Sequence, residues 1–66
     1  MNLNEIGALI KTRRSSLKLR QQELADLAQV NINTVVGIER GTGNPNIKTL
    51  IGICEILGLD IKIELS

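Results

Sequence analysis

Apolar residues recur along most of this chain with a helical period, and over seven residues near its end with the period of a strand. Ile6, Leu9, Ile10 and Leu17 fall on one side of a helix. The spacing predicts a first helix over about 3–16, with Asn2 as its cap and Glu5 three residues on to close a capping box; Asn4 is the alternative cap. Arg13 and Arg14 stand near its end, where cations suit the helix dipole. Leu24, Ala25, Leu27 and Ala28 predict a second helix over about 21–28, short enough that packing rather than propensity must hold it. Val35 and Ile38 point inward on a third, about 32–40, capped by Asn31 and stopped by Gly41. Only "QVN" separates these two helices, so the turn is tight and Val30 is expected between them. After the loop "GTGNPN", Asn46 caps a fourth helix over about 47–57. Ile47, Leu50, Ile51, Ile53, Cys54 and Leu57 give it a wide apolar face. Ile56 carries that stripe further round than one small core needs.

From Leu59 to Leu65 apolar and polar residues alternate, the pattern of a half-buried strand. A strand needs a neighbour for its backbone groups, and the chain offers no second one. The expectation is a symmetric pairing of two copies, with Leu59, Ile61, Ile63 and Leu65 covering the fourth helices at Ile56. The fold class expected is all-α, four helices in one compact domain, with a C-terminal β-strand over about 59–65 pairing across a homodimer. Residues 1–58 then form the helical domain and 59–66 the dimerisation strand.

Sixty-six residues support only a marginal core. One cysteine and no histidine exclude an internal disulfide and an ordinary zinc constellation, which leaves self-association as the remaining aid to stability. Cys54 reads as a core thiol. No metal, cofactor or small-molecule ligand is expected. No apolar run approaches the ~20 residues of a membrane span. "MNLNEIGALIK" lacks a basic segment followed by an apolar stretch, so the expectation is a cytoplasmic protein with no membrane partner. Without histidine or a plausible nucleophile and base pair, an enzyme is not expected.

The net charge is only +1, yet it is uneven. Lys11, Arg13, Arg14, Lys18 and Arg20 face a single acid, Glu5, in the first twenty residues, a net +4 against −3 for the remainder. Such a zone suits a phosphate backbone as well as it suits a solvated helix face. The chain has no aromatic residue, which disfavours single-stranded nucleic acid, gripped as it is by base stacking.

Two short helices joined by a three-residue turn form a helix-turn-helix, whose second helix can enter the major groove. The stretch from Gln21 to Leu59 resembles the phage repressor/Cro-type (XRE) helix-turn-helix family. The resemblance rests on Gln21, Glu23-Leu24-Ala25, Val30 in the turn, Ile38-Glu39-Arg40-Gly41 and Asn44-Pro45, with Arg14 matching in the first helix. It covers about residues 6 to 59 and implies a lambda-repressor-like domain that binds double-stranded DNA. Two positions depart from the pattern. Arg20 stands where the family has a Ser or Thr cap, and Gln29 where the turn usually has Gly. If the backbone at Gln29 has positive φ, it carries mild strain.

The resemblance implies phosphate contacts from Gln21, Asn31 and Arg40, with Arg20, Thr34 and Lys48 as further candidates. Asn31 also reads as a plain helix cap, and the two roles coexist. Base reading falls to Ile32, Asn33, Val36 and Gly37. An Asn can bond adenine N6 and N7 together, while Ile32 and Val36 can only touch thymine methyls. The blander reading of Asn33 is an exposed polar residue. Gly37 costs a helix interior ~1 kcal/mol relative to Ala and leaves a reading position bare. Direct readout is therefore expected to be modest, with groove shape and phosphates carrying much of the affinity. The resemblance also implies that Arg14 and Glu39 form an ion pair tying the first helix to the third.

Ending in "LGLDIKIEL", the chain is further similar to HipB-like antitoxins, which repress their own operon and bind a kinase-type toxin. The function expected is thus a dimeric DNA-binding repressor on a palindromic operator. The competing reading is a protein-interaction module, or an antitoxin acting mainly by binding a partner protein.

Overall fold

The computed structural model describes residues 1–65. Its elements are α1 (Leu3–Ser16), α2 (Gln21–Ala28), α3 (Ile32–Arg40) and α4 (Ile47–Leu57), the spans that the hydrophobic spacing predicts. Local chemistry sets each boundary. The side chains of Asn2, Asn31 and Asn46 accept from the backbone N–H groups of Glu5, Asn33 and Thr49, so each begins its helix with a filled cap. Arg20 has no side-chain acceptor to offer α2. Half of a capping box survives there, because the Glu23 carboxylate accepts from Arg20 N at 2.8 Å. Gly41 and Gly58, at φ 73° and 71°, take the left-handed step that ends α3 and α4.

The helices pack with α1 on α3 and α4, and α2 on α3 and α4. Ile10, Leu24, Ala25, Val35, Ile38, Leu50, Ile53, Cys54 and Leu57 make one core. Each large aliphatic side chain buried there stabilises the fold by about 1.5–3 kcal/mol. Val30 packs against this core from the turn. The crossing of α1 over α3 is close at Gly7, which is buried; a Cβ there would strike the carbonyl oxygen of Ile38 and lie 3.0 Å from that of Glu39. No helix among the described residues is long and apolar enough to cross a membrane.

The expected C-terminal strand is not formed. No strand exists among the described residues, and 59–65 run as irregular chain; Ser66 lies outside the described residues. A ladder needs a neighbour, and the close of α4 draws the tail elsewhere. Leu59 N donates to Cys54 O at 2.8 Å, which folds Leu59 back against the chain's own core. Ile56 packs there too. Ile61 is 43% exposed, while Ile63 and Leu65 stand fully in solvent.

The apolar faces are also narrower than the spacing predicts. Leu9, Leu17 and Leu27 are exposed rather than inward, and so are Ile47 and Ile51 on α4. Each helix here packs mainly on two others, and such a contact covers only part of a wide stripe. The surplus apolar stripe of α4 is therefore Ile47 and Ile51, not Ile56.

Gln29 sits at φ 57°, ψ 44°, and Lys18, at the exit of α1, at φ 58°. The left-handed region crowds a Cβ against the backbone by ~1–2 kcal/mol, part of which glycine returns through its freer unfolded chain. Gln29→Gly is expected to stabilise the protein by about 0.5–1 kcal/mol, raising Tm by roughly 2–8 °C. A thermal melt no higher than the parent's would show that the turn is unstrained.

Candidate nucleic-acid interface

One carboxylate ties three helices together. Glu39 on α3 accepts from Arg14 Nε at 2.6 Å and Nη2 at 3.0 Å, a forked ion pair with α1. It accepts as well from Gln21 Nε2 at 3.1 Å, at the start of α2. The remaining guanidinium nitrogen, Arg14 Nη1, donates to Leu19 O at 2.7 Å in the connection between α1 and α2. The two charged side chains are only 12% and 3% exposed. The hydrogen bond that Arg14 donates to Glu39 raises the arginine's pKa above the ordinary guanidinium range, outweighing the opposite pull of burial, so the arginine stays charged. This hub fixes the angle between the two helices of the motif.

What it holds out to solvent is the outer side of α3. Asn33, Val36, Gly37 and Arg40 follow at spacings of three and four, which places them on one helix face. Asn33 and Arg40 are exposed, and Val36 and Gly37 are half-buried. Ile32 packs partly against the core, so only part of it faces outward. Asn31, exposed, uses its side-chain oxygen to cap Asn33 N at 2.8 Å, which leaves its amide N–H groups for another partner. Thr34 is half-buried, and Lys48 is exposed near the start of α4. Arg20, Arg40 and Lys48 form no ion pair among the described residues. Gln21 stands half-buried beside this surface, one amide hydrogen committed to Glu39 and its oxygen uncommitted among the described residues.

The basic zone of the first twenty residues does not act as a unit. Arg14 belongs to the hub. Arg13 donates its Nε to Leu57 O at 2.8 Å, across 44 positions of sequence, and so clamps the end of α4 to the end of α1. Spacing could not reveal that contact, since both Arg13 and Arg14 sit equally well in the last turn of α1. Gly7 was equally hidden, although a glycine inside a helical pattern is itself a sign of close backbone approach.

A short helix crossed by a second, capped by Asn31 and presenting Asn33 and Arg40 outward, is a helix-turn-helix. The chain belongs to the helix-turn-helix family, whose model matches residues 10–63; it is a DNA-binding protein of the Cro/XRE type. It is 36% identical over 59 residues to the HTH-type transcriptional regulator y4mF of Sinorhizobium fredii, covering 89% of this chain and 78% of that protein. Over 59 residues it is 34% identical to the ImmF control region 10 kDa protein of Bacillus phage phi105, covering 89% of this chain and 66% of that one. The fold is similar to that of the clp gene regulator ClgR from Corynebacterium glutamicum, with a TM-score of 0.80 at 24% identity. That match covers 86% of this chain and 61% of ClgR. The Sinorhizobium relative and ClgR are named as regulators, and the family to which the chain belongs is one of transcriptional regulators.

Proposed function

We propose that the chain represses transcription by binding a palindromic operator as a homodimer, with α3 of each copy in the major groove. The observation that carries this reading is the outer face of α3, where Asn33 and Arg40 are exposed while the Arg14–Glu39 pair holds the helix from behind. Asn33 is the reader, through the bidentate geometry an amide offers adenine. Ile32 and Val36 supply apolar contact, and Gly37 lets the helix backbone come close. Arg20, Gln21, Asn31, Thr34, Arg40 and Lys48 grip phosphates. The likeness to the ImmF control region 10 kDa protein of Bacillus phage phi105 supports a role in transcriptional control.

The homodimer is supported by exposed apolar surface. Ile47 and Ile51 on α4, Leu9 on α1, and Ile61 and Ile63 in the tail all face solvent in the single chain. With Met1 and Leu59 they border an open apolar groove along α4. Contiguous surface of this kind marks an interface. Two-fold packing on it would set two copies of α3 about one DNA turn apart, near 34–36 Å.

The test is the solution mass of the intact chain and of a version ending at Gly58, each titrated with duplex DNA across a salt series. The intact chain should be a dimer with steeply salt-dependent binding, and the shortened one a weakly binding monomer. Arg40→Ala should flatten the salt slope by about 0.9, one phosphate contact. An intact monomer would hand the apolar groove to another protein and favour the antitoxin or interaction-module reading. Binding without salt dependence would remove the phosphate assignments.

A further inference from the structure

Gly37 and Gly52 both lie inside helices and both lack a packing reason. A Cβ at Gly52 would meet nothing within 4 Å. At Gly37 it would rest in ordinary contact, 3.7 Å from Thr42 O and 3.8 Å from Thr42 Oγ1. Alanine would suit either helix better than glycine does. Only Gly37 lies on the reading face.

Its missing side chain opens onto a groove of about 210 Å³ between α3 and the loop that follows. Asn33 and Thr34 form one wall, and the loop from Thr42 to Pro45 the other. No charged side chain lines it. Thr42 closes one side by donating both its N–H, at 2.9 Å, and its hydroxyl, at 3.3 Å, to the Gly37 carbonyl. Gly37 and Ile38 complete the lining, and the walls offer neutral amide and hydroxyl groups. Such a lining suits an uncharged base edge and gives a phosphate no cation. The apolar group on the major-groove edge of DNA is the 5-methyl of thymine.

We propose that Gly37 is a specificity-determining position, where the notch left by its missing Cβ seats the 5-methyl edge of a thymine beside the base read by Asn33. This rests on the DNA-binding reading above and adds to it a preferred base. It also explains why a position on the reading face carries no side chain: the contact belongs to the helix backbone.

The probe is a duplex enriched by the wild-type chain from a randomised double-stranded pool, then remade with each thymine replaced singly by uracil, which lacks only the methyl. One thymine in each half-site should weaken wild-type binding about fourfold when replaced, the weight of one buried methyl. Gly37→Ala should bind the original duplex about tenfold more weakly, as an overfilled contact does, and should no longer respond to that uracil. Gly52→Ala should match the wild type in both respects. Both alanine variants should melt a few degrees higher than the parent. If Gly37→Ala binds as tightly as the wild type, or keeps the uracil effect, the notch is not a base-reading site, although the DNA-binding reading stands. A Gly37→Ala protein that melts below the parent would overturn the proposal too, since the notch would then be filled by the protein itself. If the wild type enriches no duplex, the DNA-binding reading fails and this proposal with it.

Discussion

Gly7→Ala should unfold this protein or bring it close to unfolding. The added methyl would overlap the carbonyl oxygen of Ile38 and press on that of Glu39, and both are backbone atoms that cannot swing aside. Relief requires α1 to lift from α3, which would loosen Ile10 from the core and pull Arg14 away from Glu39. Overfilling a well-packed contact costs about 1–3 kcal/mol and more when backbone must move. A domain of this size holds only roughly 3–10 kcal/mol in all. The expected result is a loss of about 3 kcal/mol or more, read as the shift in urea midpoint at unchanged slope. A variant with a wild-type midpoint would mean that α1 and α3 are further apart than described.

Removing the carboxylate at Glu39 should be nearly as damaging, for an electrostatic reason. Glu39→Ala leaves the Arg14 guanidinium 12% exposed with its main partner gone, and Gln21 Nε2 without its acceptor. Breaking a buried pair from one side costs about 3–5 kcal/mol, because the surviving charge stays desolvated. Replacing both partners with apolar residues of similar size, Arg14→Met with Glu39→Leu, should recover much of that loss. Urea melts of the two single variants and the double variant form the cycle; a double variant as unstable as the sum of the singles would deny the coupling. The arginine's side of the pair should bring no pH dependence near neutrality. Its folded pKa is raised, so its contribution is complete below the unfolded value and fades only as strongly alkaline pH passes the folded one. Double-stranded DNA affinity of the double variant would then test the phosphate contact proposed for Gln21, now released from Glu39.

Local codes made the helices legible. Asn2, Asn31 and Asn46 each accept a backbone N–H at the start of a helix, and such a bond spans only two or three residues. Gly41 and Gly58 end helices by a backbone step within one residue. Signals of that range survive in the order of amino acids. The resemblance supplied the Arg14 and Glu39 positions, since a fixed spacing preserves partners 25 residues apart even when periodicity cannot show them.

Long-range partners were not legible. Arg13 and Arg14 are adjacent and chemically alike, yet one clamps Leu57 O and the other Glu39, because neighbouring positions on a helix point about 100° apart toward different elements. Leu9 and Ile10 likewise share one apolar run, and only Ile10 reaches the core. The alternation of the tail suggested a strand, but alternation describes where side chains could point and not whether a ladder exists to hold the backbone. Instead Leu59 turns inward on its bond to Cys54 O, and Ile63 is left bare.

The sequence by itself therefore determined the four helices, their ends and the family. These depend on caps, spacing and motif, all of them short-range or aligned properties. The tertiary structure alone decided which apolar residues form the core, which arginine pairs with which acceptor, why Gly7 admits no side chain and why Gly37 has room for one. Those outcomes depend on where separate helices meet in space, and packing distances of a few ångströms between them are written in no single segment.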